Sequence, residues 1–267
     1  MEIVVVDDCS IDNSLSIASQ FGVAILSFPY KLNAGGARAK GYLASSGDLV
    51  AFVDSDIVLD PSWMKVAADL LSNDASLGAV GGAVCPPSSR CIAEWADYLA
   101  SFSAYSETMA AGQRVFLPTN QVMIKRQALA SVDFLDTYGD EDIDLCYRLS
   151  DQGYKLLFDP RLRAIHLGWR KSYIELVKTQ ERYATGLLKS SERFMPSKGL
   201  LRLPTLLYIP TFITLKMTQI VSRIWKSPYH LFMYLLSCPV LFVILLARAY
   251  WITTRKSRSC DSSLGGR

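Results

Sequence analysis

Four short apolar runs, separated by polar breaks and stretches of helical spacing, decide what the first part of this chain can fold into. They are Glu2–Val6, Val23–Phe28, Val50–Val53 and Leu77–Val84. Continuous β-branched runs of this kind are typical of strands buried on both faces, as in a parallel sheet covered by helices. Between them Asn13–Gln20, the stretch from Asn33 and the stretch after Asp60-Pro61 read as helices, the last with a cap and a proline at its first position. The order is β-α-β-α-β-α-β. It predicts an α/β fold with a doubly wound, mostly parallel sheet and flanking helices.

The third run ends in Asp54-Ser55-Asp56. In an open α/β sheet, ligands sit outside the carboxyl ends of the strands. Two carboxylates one residue apart supply hard oxygens there, which suit Mg²⁺ or Mn²⁺ bridging phosphate oxygens. A plain turn after a strand also favours Asp and Ser. The first run ends in Asp7-Asp8, which either cap the next helix or accept hydrogen bonds from a ligand. Asn33-Ala34-Gly35-Gly36-Ala37-Arg38-Ala39-Lys40-Gly41 is a small-residue helix start. Its N-terminus favours anions and Arg38 adds a fork for phosphate. The same small residues also serve tight helix–sheet packing.

Residues 86–116 are less regular. Trp95, Tyr98, Phe102 and Tyr105 fall at helical spacing, for which core packing is the default reading and a sugar platform the lesser one. Leu117–Ile124 reads as a strand and Gln127–Ser131 as a short helix. A helix then opens at Tyr138-Gly139-Asp140-Glu141-Asp142-Ile143-Asp144 and closes at Gly153. Carboxylates at a helix start complement its dipole. Four of them in one turn exceed what capping needs, and such an excess marks a site; one could serve as general base toward a hydroxyl. Leu156–Asp159 and Leu162–His166 read as short strands. His166 at a strand end is either a hydrogen-bonded structural residue or, beside a metal, a ligand.

Charge divides the chain. Residues 1–154 hold nine Lys and Arg against 20 Asp and Glu, and residues 155–267 hold 19 against five. The basic part is also the apolar part, so it points to membrane lipid and not to nucleic acid. Tyr229–Ala247 runs 19 residues without a formal charge, close to the roughly 20 that span a bilayer. In Pro204–Ile224, Lys216 and Gln219 interrupt an apolar stretch. Leu206, Ile213, Met217, Ile220 and Ile224 share one face there, as in an interfacial helix. The positive-inside tendency favours the two segments spanning as a hairpin. The six cysteines show no metal spacing and read as reduced thiols facing the cytosol. Met1-Glu2 leads directly into a strand, so no signal peptide is expected.

With these residues in order, the chain resembles the family 2 glycosyltransferases of the GT-A (Rossmann-like) fold. The matching pieces are Val6-Asp7-Asp8-Cys9-Ser10-Ile11-Asp12, Asn33–Arg38, Asp54-Ser55-Asp56 with Asp60-Pro61, Phe134-Leu135-Asp136, Glu141-Asp142-Ile143-Asp144-Leu145 with Arg148 and Gly153, and His166. The resemblance implies transfer of a sugar, with inversion, from a nucleotide-diphosphate donor to a glycan or lipid-linked acceptor. By it, Asp7, Asp8, Arg38 and Asp54 meet the nucleotide. Asp54, Asp56 and His166 hold Mg²⁺ or Mn²⁺. Asp142 deprotonates the acceptor, with Glu141 its neighbour. Thr179-Gln180-Glu181-Arg182-Tyr183-Ala184-Thr185-Gly186 is similar to the Gln-x-x-Arg-Trp-x-x-Gly of the processive branch, with Thr179 for Gln and Tyr183 for Trp. It makes Arg182 and Tyr183 acceptor or diphosphate candidates. The family carries a strand and helix before Val6-Asp7-Asp8, so the chain is expected to lack one interior strand. The expected domains are a transferase domain over 1–190, a basic linker over 191–203, an interfacial or transmembrane helix over 204–226, a transmembrane helix over 229–250 and a basic tail over 251–267. The expected location is the inner or plasma membrane with the catalytic domain cytosolic. The alternative is a truncated, non-catalytic relative that binds a nucleotide sugar or a partner only.

Overall fold

A computed structural model of the chain describes residues 1–132, 141–194 and 205–264. The Phe134-Leu135-Asp136 piece, Tyr138-Gly139-Asp140, residues 195–203 of the expected linker and residues 265–267 lie outside the described residues. So do the side chains of Gly186, Lys189, Arg193, Leu206, Arg255, Lys256, Arg258 and Cys260.

In chain order the elements are β1 (Val4–Asp7), α1 (Ser14–Ala18) with a 3-10 turn at Ser19–Phe21, β2 (Ala24–Ser27), α2 (Asn33–Ala44), β3 (Leu49–Val53), β4 (Ile57–Leu59), α3 (Trp63–Asn73), β5 (Leu77–Cys85) and α4 (Ile92–Phe102). Then follow a 3-10 turn at Ser103–Tyr105, β6 (Gly112–Arg114), β7 (Gln121–Lys125), α5 (Arg126–Leu129), α6 (Glu141–Asp151), β8 (Lys155–His166), α7 (Tyr173–Phe194), α8 (Thr205–Ile224) and α9 (Pro228–Leu264). Two compact units emerge. The first comprises Met1–Ser55, Pro61–Gly81 and Gly112–Leu162; the second comprises Asp56–Asp60, Gly82–Ala111 and Arg163–Arg267.

In the first unit, β1 and β2 form a parallel pair of their own. The main sheet has the order β3-β7-β5-β8, with β6 beside β8. The α/β class with flanking helices is as expected, but the sheet is mixed instead of mostly parallel. β7 runs antiparallel to both β3 and β5, and β6 runs antiparallel to β8. An apolar run reports burial on both faces and carries no sign of direction, so the sequence pattern could not show this. Helix α3 buries Trp63, Ala67 and Leu71, four residues apart on one stripe. Trp63 Nε1 donates to Gln121 Oε1 of β7 at 2.8 Å. The helix begins at Trp63 behind Ser62, so Asp60-Pro61 precedes it instead of starting it. The Asp60 amide instead donates to the carbonyl of Arg163, which belongs to the second unit's ladder. Gly41 of α2 permits close approach to β1: a Cβ there would lie 3.2 Å from Val6 Cγ2.

In the second unit, β4 pairs antiparallel with the end of β8, Ile57 opposite His166. β8 is one 12-residue strand where two short ones were expected. The residues around 86–116 contain the regular helix α4. Its Trp95 and Tyr98 are fully buried and Tyr105 nearly so, which is the core reading of that aromatic stripe. Trp95 and Tyr98 join Leu176 of α7, Ile220 and Ile224 of α8, and Met233, Leu241 and Ile244 of α9 in one apolar cluster. Of the expected α8 face, Ile213, Ile220 and Ile224 are buried. Among the described residues, one helix is long and apolar enough to cross a membrane, Pro228–Thr254, with mean hydropathy 2.3.

Candidate active site

The first unit assembles a charged cluster at the end of β3. Asp54 follows the strand directly, and its amide donates to the carbonyl of Asn120 at 3.0 Å. Arg38, from the second turn of α2, donates through Nη2 to Asp54 Oδ1 at 2.9 Å and through Nη1 to Glu141 Oε1 at 3.1 Å. Arg38 and Glu141 are 15% and 12% exposed in their side chains, Asp54 43%. Burial works against the charge of Arg38, but Asp54 and Glu141 outweigh it and hold the guanidinium firmly protonated.

Asp142 is next to Glu141 in the first turn of α6, and its Oδ1 accepts from the amide of Ile143 at 2.8 Å. Burial, then the charge of Glu141, pushes its carboxyl up to about 7, against the pull of Arg38. Asp144 points elsewhere: it is buried and accepts from Arg148 Nε at 2.6 Å. The acidic helix start therefore separates into one carboxylate paired with Arg38, one held near neutrality and one used in an intrahelical ion pair.

Asp7 and Asp8 shape the turn after β1. Asp7 is buried and accepts from the Ser10 amide and from Ser27 Oγ of β2. These hydrogen bonds, led by Ser10, hold its carboxyl below the usual range. Asp8 Oδ1 accepts from the Leu32 amide, and Lys31 Nζ donates to the Asp8 carbonyl at 2.8 Å. Cys9 between them and Ser10 has φ of 60°, a left-handed conformation that a non-glycine residue adopts at a cost. The turn is thus braced against the loop that leads into α2.

Asp56 and His166 meet in the second unit. His166 Nε2 lies 3.4 Å from Asp56 Oδ2, because the β4–β8 register sets Ile57 opposite His166. The Leu167 amide donates to the Asp56 carbonyl at 2.8 Å. A Cβ on Gly168 would overlap the Asp56 carboxylate, so only glycine leaves room for it. His166 has Phe102 and Trp169 rings at 5.6 and 4.4 Å, and its Nδ1 is buried with no hydrogen-bond partner among the described residues. Asp56 remains 44% exposed in its side chain. A carboxylate oxygen and an imidazole nitrogen this close are a donor pair that fits Mn²⁺ or Mg²⁺. Among the described residues no three His, Cys, Asp or Glu side chains cluster tightly enough to enclose an ion.

Arg182 and Tyr183 lie on α7 of the second unit. Arg182 and Arg248 both approach the Tyr183 ring, at 5.5 and 4.9 Å. Sequence reasoning missed Arg248 and the pair of buried Asp97 with partly buried Arg170. It also cast Arg38 only as a phosphate ligand. The residues joined by Arg38 are 16 and 103 positions away, and no local pattern signals such a link.

An α/β body with acidic strand ends of this kind has the GT-A class of fold. The mannosyltransferase PcManGT from Pyrobaculum calidifontis, solved with GDP-Man and Mn²⁺, superposes with a TM-score of 0.63 at 14% identity, over 94% of this chain and 77% of its own. The family model described as Glycosyl transferase family 2 matches residues 1–131, and this part of the chain belongs to that family. A pre-mycofactocin glycosyltransferase of Mycobacterium tuberculosis is 25% identical over 62% of this chain and 37% of its own length. The glycosyltransferase AglE of Haloferax volcanii is 26% identical over 70% of this chain and 63% of its own. The chain thus spans well under two thirds of the mycobacterial relative it matches.

Proposed function

We propose that the chain transfers a glycosyl group from a nucleotide-diphosphate sugar to an acceptor hydroxyl, with inversion. The observation that carries the reading is Asp142: a carboxyl held near neutrality beside the Arg38–Glu141 ion pair is suited to general base catalysis at physiological pH. Asp142 takes the proton of the acceptor hydroxyl as its oxygen attacks the anomeric carbon. The bond to the diphosphate breaks and the nucleoside diphosphate leaves. Arg38 holds Glu141 and Asp54 in place and keeps a positive charge at the end of β3. Asp7 and Asp8, with their braced turn, are the candidates to meet the nucleotide. Asp56 and His166, with Asp54 as the motif's other carboxylate, are the candidates for the metal. A divalent ion, when bound, would neutralise charge growing on the leaving diphosphate.

The acceptor is a glycan or lipid-linked hydroxyl, and the enzyme works at the membrane face on the cytosolic side. The apolar helix Pro228–Thr254 and the basic second part of the sequence support membrane association. On the same reading Arg182 and Tyr183 approach the acceptor or diphosphate. A panel of radiolabelled UDP- and GDP-sugars supplied with Mn²⁺ to membranes carrying the chain tests the reading. Transfer that depends on Asp142 from one donor supports it. Donor binding without any transfer would turn the reading to a non-catalytic nucleotide-sugar binder.

A further inference from the structure

We propose that Asp97, Phe102 and Trp169 are positioning residues that set the His166 ring against the Asp56 carboxylate before any ion arrives. That role rests on the reading of Asp56 and His166 as metal donors. All five residues belong to the second unit. Strand β8 ends at His166, and a chain leaving a strand frays unless it is tied down. Here the segment is tied at both ends, Leu167 and Arg170. The Leu167 amide donates to the Asp56 carbonyl at 2.8 Å. The Arg170 amide donates to Asp97 Oδ2 at 3.2 Å, and Arg170 Nη1 donates to Asp97 Oδ1 and Oδ2 at 3.1 and 3.0 Å. One buried carboxylate of α4 thus takes both the backbone and the side chain of the residue that closes the segment.

The same helix supplies rings. Phe102 closes α4, and its ring centre lies 5.6 Å from that of His166 and 5.8 Å from that of Trp169. Trp169 lies 4.4 Å from His166, so the three rings form a closed triangle. Tyr98, fully buried and one turn before Phe102, meets Trp169 edge-on at 5.7 Å. Packed this way, the imidazole keeps few rotamers. Its ordering is completed during folding, and an ion that finds the donors already aimed binds more tightly. Core packing alone would explain the rings. It does not explain Asp97, because apolar residues of similar volume often replace a buried ion pair at no loss of stability. What Asp97 adds is direction: three hydrogen bonds to one residue fix where the chain runs after His166, which apolar contact cannot do.

The test uses the full chain and Mn²⁺ alone, without donor, and free Mn²⁺ is counted by its EPR signal. The chain has two histidines, so ¹³Cε1-histidine labelling gives two ring signals, and His166→Ala assigns them. In the metal-free chain the His166 signal is expected to be single and narrow. Asp97→Ala and Trp169→Leu are each expected to broaden or split it and to weaken Mn²⁺ binding about tenfold, and Trp169→Phe to leave binding within about threefold. In a chain that already carries His166→Ala, adding Asp97→Ala is expected to cause little further loss, because coupled positions are not additive. An equal loss in both backgrounds, meaning a general structural role, would overturn the proposal. So would unchanged Mn²⁺ binding by folded Asp97→Ala and Trp169→Leu while His166→Ala lowers it, and the metal reading would then stand. Unchanged binding by His166→Ala would remove that reading and the proposal with it. If Asp97→Ala fails to fold, Trp169→Leu against Trp169→Phe still decides.

Discussion

Arg38 Nη1 donates to Glu141 Oε1 at 3.1 Å across 103 residues of chain, and its other arm binds Asp54. One guanidinium thereby couples the end of β3 to the first turn of α6, where Asp142 lies. Arg38 is also the charge that counteracts the rise of the Asp142 carboxyl.

Asp142 must be deprotonated to accept a proton. Its carboxyl is raised from the ordinary range to about 7, so transfer is expected to increase with pH through about 7. Asp142→Asn is expected to lower kcat by about 10²–10⁴-fold while donor binding stays within a few-fold. A pH series of transfer rates with calorimetric donor binding checks both; turnover at the unaltered rate by the variant would remove Asp142 from the mechanism.

Arg38→Gln removes the positive charge that favours ionised Asp142. The acidic limb of the rate profile is expected to move to higher pH. The loss of charged hydrogen bonds to the largely buried Glu141 is expected to cost about 1.5–3 kcal/mol of stability, with little added by the half-exposed Asp54. Denaturant unfolding and a pH profile of the same variant read these separately.

Gly168→Ala should act on Asp56 alone. The added Cβ collides with that carboxylate and turns it from His166, so Mn²⁺-dependent donor binding is expected to weaken about tenfold or more with the fold retained. His166→Ala should do the same. Titration of donor binding against Mn²⁺ is the readout, and binding that stays as metal-dependent as before in both variants would exclude this pair as ligands.

Leu71→Ala leaves a hole under α3, where Leu71 is fully buried. The expected loss is about 2–5 kcal/mol, seen as a lower denaturation midpoint without a change in the charge cluster's pH behaviour.

The sequence by itself determined the strand ends and the kinds of residue placed there. Asp7-Asp8, Asp54 and Glu141-Asp142 are local patterns, fixed by an apolar run stopping or a helix starting, and each appears at such a boundary in the structure. The uncharged length within α9 was legible for the same reason. Strand direction was not, because a β-branched run records that both faces are dry and nothing about which neighbour it bonds. β7 entering antiparallel between β3 and β5, and the three-residue β4 pairing with β8, depend on partners far along the chain. Roles inside the charge clusters were likewise decided only in three dimensions. Arg38 reads in sequence as a free fork for phosphate, yet in the fold it spends its donors on Asp54 and Glu141. Four carboxylates that look alike in sequence divide, among those described, into Glu141 held by Arg38, Asp144 held by Arg148, and Asp142 lifted toward neutrality by its burial. Charge is a property of the residue, while the energy of that charge depends on what the fold places around it.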